Sequence, residues 1–82
     1  MYRLALKVLK KKIHFVSETK TVLKNDNLKA RIRYRQALQK VSVFQENNFY
    51  YFLFNKPQKS ITSGQFIAVY SDDELVCSGV IH

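Results

Sequence analysis

Four basic residues at alternate positions, Lys29, Arg31, Arg33 and Arg35, are the strongest chemical signal in this 82-residue sequence. They interleave with Leu28, Ala30, Ile32 and Tyr34. With a strand's period of two, the apolar set faces a core and the cations line the opposite face. Alternate residues on a strand lie about 6.6–6.8 Å apart, close to the spacing of phosphates along a nucleic-acid strand. Three of the four are arginine, whose planar fork suits phosphate better than a lysine ammonium does. Like charges held this close repel one another, so the row points to an anionic partner; the plainer reading is a solvated strand face. Lys10, Lys11 and Lys12 form a second basic group and Lys56 a third, both read as supporting phosphate contacts.

No residue set offers catalysis or metal binding. The single cysteine, Cys77, sits in an apolar stretch and reads as a buried, inert thiol. It excludes a disulfide framework and all-cysteine metal sites, and it fits a reducing compartment. His14 and His82 have no companions at ligand spacing, so no metal site is expected. Asp72, Asp73 and Glu74 crowd one turn, whereas general acid–base work needs two carboxylates in distinct environments across a cleft. Gly64 and Gly79 are isolated, so no glycine-rich phosphate loop exists.

Charge is strongly asymmetric along the chain. Residues 1–40 carry twelve Lys and Arg against Glu18 and Asp26, a net +10, while residues 41–82 carry Lys56 and Lys59 against four acids, a net −2. The basic half is an electrostatic footprint for a polyanion, and a membrane surface would attract it too. No apolar run approaches the ~20 residues of a membrane-spanning helix, and no signal peptide is apparent. The expectation is a cytoplasmic protein without a membrane partner.

The elements that must position these groups read as all-β. Residues 28–35 predict a strand. Residues 41–44 and 49–54 predict an antiparallel hairpin around Glu46-Asn47-Asn48, with alternate members of the aromatic run filling a core. Tyr34 and Tyr51 are expected to keep their hydroxyls wet. Residues 55–64, with the only proline, predict a polar connection; residues 65–70 and 75–81 predict two more strands about a charged turn at 71–74. Residues 4–13 fit a strand or a helical stripe; a strand pair bent at Lys10-Lys11-Lys12 is preferred, with a loop over 17–27 and a turn at Asn25-Asp26-Asn27. The rival, a basic amphipathic helix over 3–16, would lie on a membrane surface. Short strands separated by turns make one small closed or nearly closed barrel spanning 1–82.

Several of these segments together resemble the carboxy-terminal domain of the bacterial tRNA-specific 2-thiouridylases. They are Lys29-Ala30-Arg31-Ile32-Arg33-Tyr34-Arg35-Gln36, Lys56-Pro57-Gln58-Lys59-Ser60-Ile61-Thr62-Ser63-Gly64-Gln65, Ala68-Val69-Tyr70 and Val76-Cys77-Ser78-Gly79-Val80-Ile81. Residues 2–17 are similar to the family's preceding segment, so the likeness spans nearly the whole chain. It implies a six-stranded antiparallel β-barrel, akin to barrels of translation factors, that helps hold tRNA for sulfur transfer to position 2 of the wobble uridine. It further implies an upstream catalytic domain as partner, which would use ATP and Mg, and no catalytic centre or cofactor in this piece. Two departures stand out. Ser63 replaces the family's proline, which softens a turn, and Ser78-Gly79-Val80 replaces a glycine run, which predicts a looser backbone approach at the terminal strand. The alternative function is a protein-interaction module that docks its basic face on an acidic partner or the upstream domain.

Overall fold

The computed structural model describes residues 2–16, 27–33 and 35–82. Six strands follow in order: β1 Tyr2–Phe15, β2 Leu28–Arg31, β3 Gln39–Glu46, β4 Phe49–Lys59, β5 Phe66–Ser71 and β6 Glu74–Ile81. They close into a barrel in the order β1-β4-β3-β2-β5-β6, with every neighbouring pair antiparallel. The described residues contain no helix. The expected all-β barrel is therefore the fold.

Inside lie the alternate apolar positions of each strand, among them Leu6, Val8, Leu28, Ala30, Phe52, Phe54, Ile67, Val69 and Ile81. Of the aromatic run, Tyr50, Phe52 and Phe54 point into this core, as the period of two requires. Two tight turns carry the hairpins. Asn47 takes a φ of 56° between β3 and β4, and Asp72 and Asp73 take 49° and 69° between β5 and β6. Short Asn and Asp side chains tolerate this left-handed backbone, which matches the twist of the flanking strands.

Three elements differ from expectation. First, residues 2–15 form one long strand and neither a bent pair nor a helix. Its first half pairs with β4, from Ala5↔Leu53 to Leu9↔Phe49, and its second half with β6, from Ile13↔Gly79 to Phe15↔Cys77. Between Val8↔Ile81 and Ile13↔Gly79 the register slips, so Lys10, Lys11 and Lys12 bulge out of a continuous strand. The membrane-surface helix over 3–16 is overturned by the same pairing.

Second, β4 does not stop at Phe54 but runs to Lys59, where Tyr2↔Lys59 and Arg3↔Gln58 pair with β1. Pro57 is accommodated because the register slips between Arg3 and Ala5, leaving Asn55, Lys56 and Pro57 in a bulge. Third, the strand starting at Leu28 ends at Arg31, not at residue 35. The Gln36 side chain competes for the backbone: its Oε1 accepts from the Ile32 N–H at 2.9 Å and the Arg33 N–H at 3.3 Å, and the Gln36 N–H donates to the Arg33 carbonyl. Backbone donors satisfied this way need no ladder partner, so the chain turns. The loop expected over 17–27 lies outside the described residues except for Asn27, as do two residues of the Asn25-Asp26-Asn27 turn and the inward placement of Tyr34.

The looser approach predicted at Ser78-Gly79-Val80 does not occur at Gly79. A Cβ there would sit 2.8 Å from Val8 Cγ1 and 3.1 Å from Ile13 Cγ1, so β1 crosses β6 in space that only glycine leaves open.

Candidate nucleic-acid interface

The shortened β2 changes how the basic row is held. Lys29 projects outward and is exposed, directly opposite Lys40 on β3 and Tyr70 on β5. Arg31 follows on the same face but is half-buried. Its Nη2 donates to Tyr70 Oη at 3.1 Å, and its Cζ lies 5.2 Å from the Tyr70 ring centroid. The ring thus fixes the guanidinium against the barrel wall.

Arg33 and Arg35 lie beyond the strand. Arg33 reaches back to β4, where its Nη2 donates to the carbonyls of Lys59 at 3.2 Å and Ser60 at 3.0 Å. It serves as a clamp between the two loops, and Arg35 sits exposed in the turn that Gln36 closes. The straight four-cation ladder is therefore corrected to two strand-borne cations, Lys29 and Arg31, followed by two on a turn.

A buried amide chain supports that turn. Gln58, 2% exposed, accepts from Gln36 Nε2 at 2.6 Å and donates through Nε2 to Gln39 Oε1 at 2.7 Å and to the Lys56 carbonyl at 2.8 Å. Both ends of its amide are satisfied, as a buried amide demands. The chain links the Arg33–Gln36 turn, the start of β3 and the β4 bulge that carries Lys56.

Lys56 is exposed on that bulge and shares a cleft of about 360 Å³ with Lys40, Asn55 and the 37–39 segment. Lys29, Lys40 and Lys56 consequently form one continuous cationic surface beside Arg31. Lys40 is absent from the sequence-based set because its position opposite Lys29 depends on register. The alternation from Lys40 through Val41, Ser42 and Val43 was the available signal. Adjoining this surface on the β5 side, a smaller cleft of about 210 Å³ lined by Lys29, Leu38 and Tyr70 includes Asp72 and Asp73, which bound the positive field there.

Lys10, Lys11 and Lys12 are not brought to this wall. In the six-strand ring β1 stands three strands from β2 in either direction. The bulge also lies at the turn end of the β3–β4 hairpin, where the Lys10 N–H donates to the Asn48 carbonyl at 2.8 Å, whereas Lys40 lies at the open end. Lys10 Nζ stands 5.8 Å from the Tyr50 ring centroid; Lys11 and Lys12 are exposed.

The remaining reactive groups take structural places. Burial pushes the Cys77 thiol up to about 12, far from a working nucleophile. Tyr51 is half-buried on the outer face, stacked on exposed Phe44 with centroids 5.1 Å apart, and its neighbour Phe49 meets His82 edge-on. Among the described residues no group of three His, Cys, Asp or Glu gathers as a metal site, and no helix is long and apolar enough to cross a membrane.

Fold and surface together define a small closed antiparallel β-barrel with a cationic outer wall. The sequence matches the aminomethyltransferase beta-barrel domain family over residues 6–81, and the chain belongs to that family. It is 43% identical over 83 residues to the tRNA-specific 2-thiouridylase MnmA of Christiangramia forsetii, an alignment covering 99% of this chain and 21% of that protein. The corresponding protein of Flavobacterium johnsoniae gives the same identity and coverage, and that of Karelsulcia muelleri is 35% identical over 81 residues, again across 99% of this chain and 21% of the relative. The chain spans about a fifth of the length of these relatives.

Proposed function

We propose that this barrel is the tRNA-gripping accessory domain of a tRNA 2-thiouridylase. In the parent enzyme, sulfur transfer to position 2 of the wobble uridine, with its ATP and Mg, belongs to an upstream catalytic domain. The barrel's task is to hold tRNA by its phosphates. Such contacts set position and orientation and carry little sequence information; specificity comes from RNA shape and from the rest of the enzyme.

One observation carries this reading: Lys29 and Lys40 face each other directly across β2 and β3. Like charges in that arrangement cost stability, and an RNA backbone is the compensating anion that the relatives' named substrate supplies. Arg31, held by Tyr70, and Lys56, carried by the β4 bulge, extend the same surface. Arg35 and Arg33 border it, and Lys10 to Lys12 are a separate, secondary contact on the far wall.

The test is tRNA binding by the 82-residue chain as a function of salt. Replacing Lys29, Lys40 and Lys56 together by glutamine lowers the slope of log K against log salt by roughly 0.7–0.9 per lost phosphate contact. A folded triple variant with unchanged slope refutes the assignment. If the intact barrel has no RNA affinity and instead binds an acidic protein surface, the docking-module alternative replaces it.

A further inference from the structure

The wall made by β5 and β6 joins the two separated basic groups, and its outward positions form a shallow trough. Register places Arg31, Ala68, Ser78 and His14 in one row across four strands. Ala68 and Ser78 are small and make the floor. On one side stand Tyr70 and Leu75, paired across the strands; on the other stand Phe66 and Val80. Phe66 and Tyr70 are four residues apart on one strand, so their Cα atoms are about 13 Å apart.

Each end of the trough carries a cation: Arg31 at the β2 end and exposed Lys12, next to exposed His14, at the β1 end, three strand spacings or about 14–15 Å away. Asp72 and Asp73 lie in the turn beyond Tyr70 and Glu74 opens β6 at that same end, so the carboxylates gather at one edge of this wall and Phe66 stands at the end of β5 farthest from them. Phe66 is 63% exposed, a large aromatic ring left in water within one step along the strand face of the residue that faces Arg31.

We propose that this trough binds an unpaired nucleotide of RNA, whose base lies over Ala68 and Ser78 and stacks on Phe66. The inference rests on the reading of the barrel as an RNA-binding domain and adds to it a second contact of different chemistry. A base inside a duplex is covered by its neighbours, so an isolated exposed ring at a cationic surface engages only a base splayed out of the stack. A phosphate beside that base meets Arg31, and one further along the strand meets Lys12. A protein partner here would need an acidic segment with an apolar side chain for Phe66, and the experiment separates the two.

The sequence contains no tryptophan, so Phe66→Trp introduces a single reporter indole. The probe is a 12-nucleotide oligouridylate, compared with a 12-base-pair RNA duplex and with inorganic polyphosphate. The expected result is quenching of the introduced indole by oligouridylate and not by polyphosphate. Phe66→Ala should lose roughly tenfold in affinity for oligouridylate, keep its salt slope and bind the duplex as the parent does. The proposal is overturned if Phe66→Ala binds oligouridylate normally, or if polyphosphate quenches as strongly. It is likewise overturned if an acidic peptide displaces oligouridylate from the trough at equal charge. Should the lysine variants lose RNA while position 66 stays silent, only this trough falls. Absence of any RNA affinity removes the trough and the proposed function together.

Discussion

Neutralising Lys40 should strengthen the fold and weaken the grip on RNA at the same time. The two ammonium groups of Lys29 and Lys40 extend from directly paired positions. Directly opposed Cβ atoms stand about 5 Å apart; the flexible stems let the ammonium groups spread to ~7 Å, where their repulsion in water is about 0.6 kcal/mol before screening. A Debye length of about 30 Å at 10 mM salt leaves roughly 0.5 kcal/mol of this, and one of about 8 Å at 150 mM leaves roughly 0.25. For a domain of this size 1 kcal/mol moves the midpoint by about 4–8 °C. Lys40→Gln should thus raise Tm by about 2–4 °C at 10 mM salt, by about 1–2 °C at 150 mM, and negligibly at 1 M. Calorimetric or circular-dichroism melts at the three salt concentrations measure this directly, and filter binding of tRNA reads the opposite sign. Adding Lys29→Gln to Lys40→Gln should bring little further gain, because the repelling partner is already gone. A Tm that falls, or that rises equally at every salt concentration, would sink the reasoning: the lysine stems and not their charges would then be setting stability.

Three further outcomes follow from the geometry. Gln58→Leu strands Gln36 and Gln39 without their buried partner and should cost about 2–4 kcal/mol in urea denaturation; retention of full stability would mean that the amide chain is decorative. Gly79→Ala drives a methyl into Val8 and should destabilise by about 1–3 kcal/mol, with partial recovery when Val8→Ala is added; an additive double variant would show that the contact is not the cause. Cys77 should resist thiol reagents at pH 8 in the folded protein. Its pKa is raised from 9.0 to about 12 by burial, so the unfolded chain loses its proton first. Stability should then be whole below pH 9 and fall as pH rises from 9 towards 12; Cys77→Ala, followed over the same range, should remove that part of the decline.

Strands bounded by turn residues were readable because alternation and backbone chemistry agree locally. The hairpin at Asn47 and the Asp72-Asp73 turn follow from two residue types that accept positive φ. What escaped depends on long-range partners. The end of β2 at Arg31 is set by the Gln36 side chain, which offers acceptors that a ladder would otherwise supply. The continuation of β4 through Pro57 is invisible locally, since proline reads as a breaker until the register against β1 places it in a bulge of its own strand. Lys10 to Lys12 announced a break in the strand, yet only the competing registers of β4 and β6 make it a bulge within one element. In the candidate interface, Lys29 and Arg31 were legible from their spacing. Lys40 was not, because nothing short of the β2–β3 register puts it beside them. Gln58, polar in the sequence and flanked by Pro57 and Lys59, gave no hint of burial.

The seam of the cylinder is sewn by its earliest and latest strands, Ile13 to Phe15 against Cys77 to Gly79. On a ribosome, β1 can dock on β4 as soon as Lys59 has cleared the exit tunnel, but its other flank stays open until β6 follows. At about 5–20 residues per second, the 22 residues from Lys59 to Ile81 take about 1–4 s to synthesise. During that interval the nascent sheet exposes hydrogen-bonding groups on β1 that the mature ring hides, and the lysine bulge lies beside that flank. Positive charge at an unpaired strand flank discourages a neighbouring chain from adding itself there. Lys10, Lys11 and Lys12 thus put positive charge beside the flank of β1 that stays open until β6 arrives.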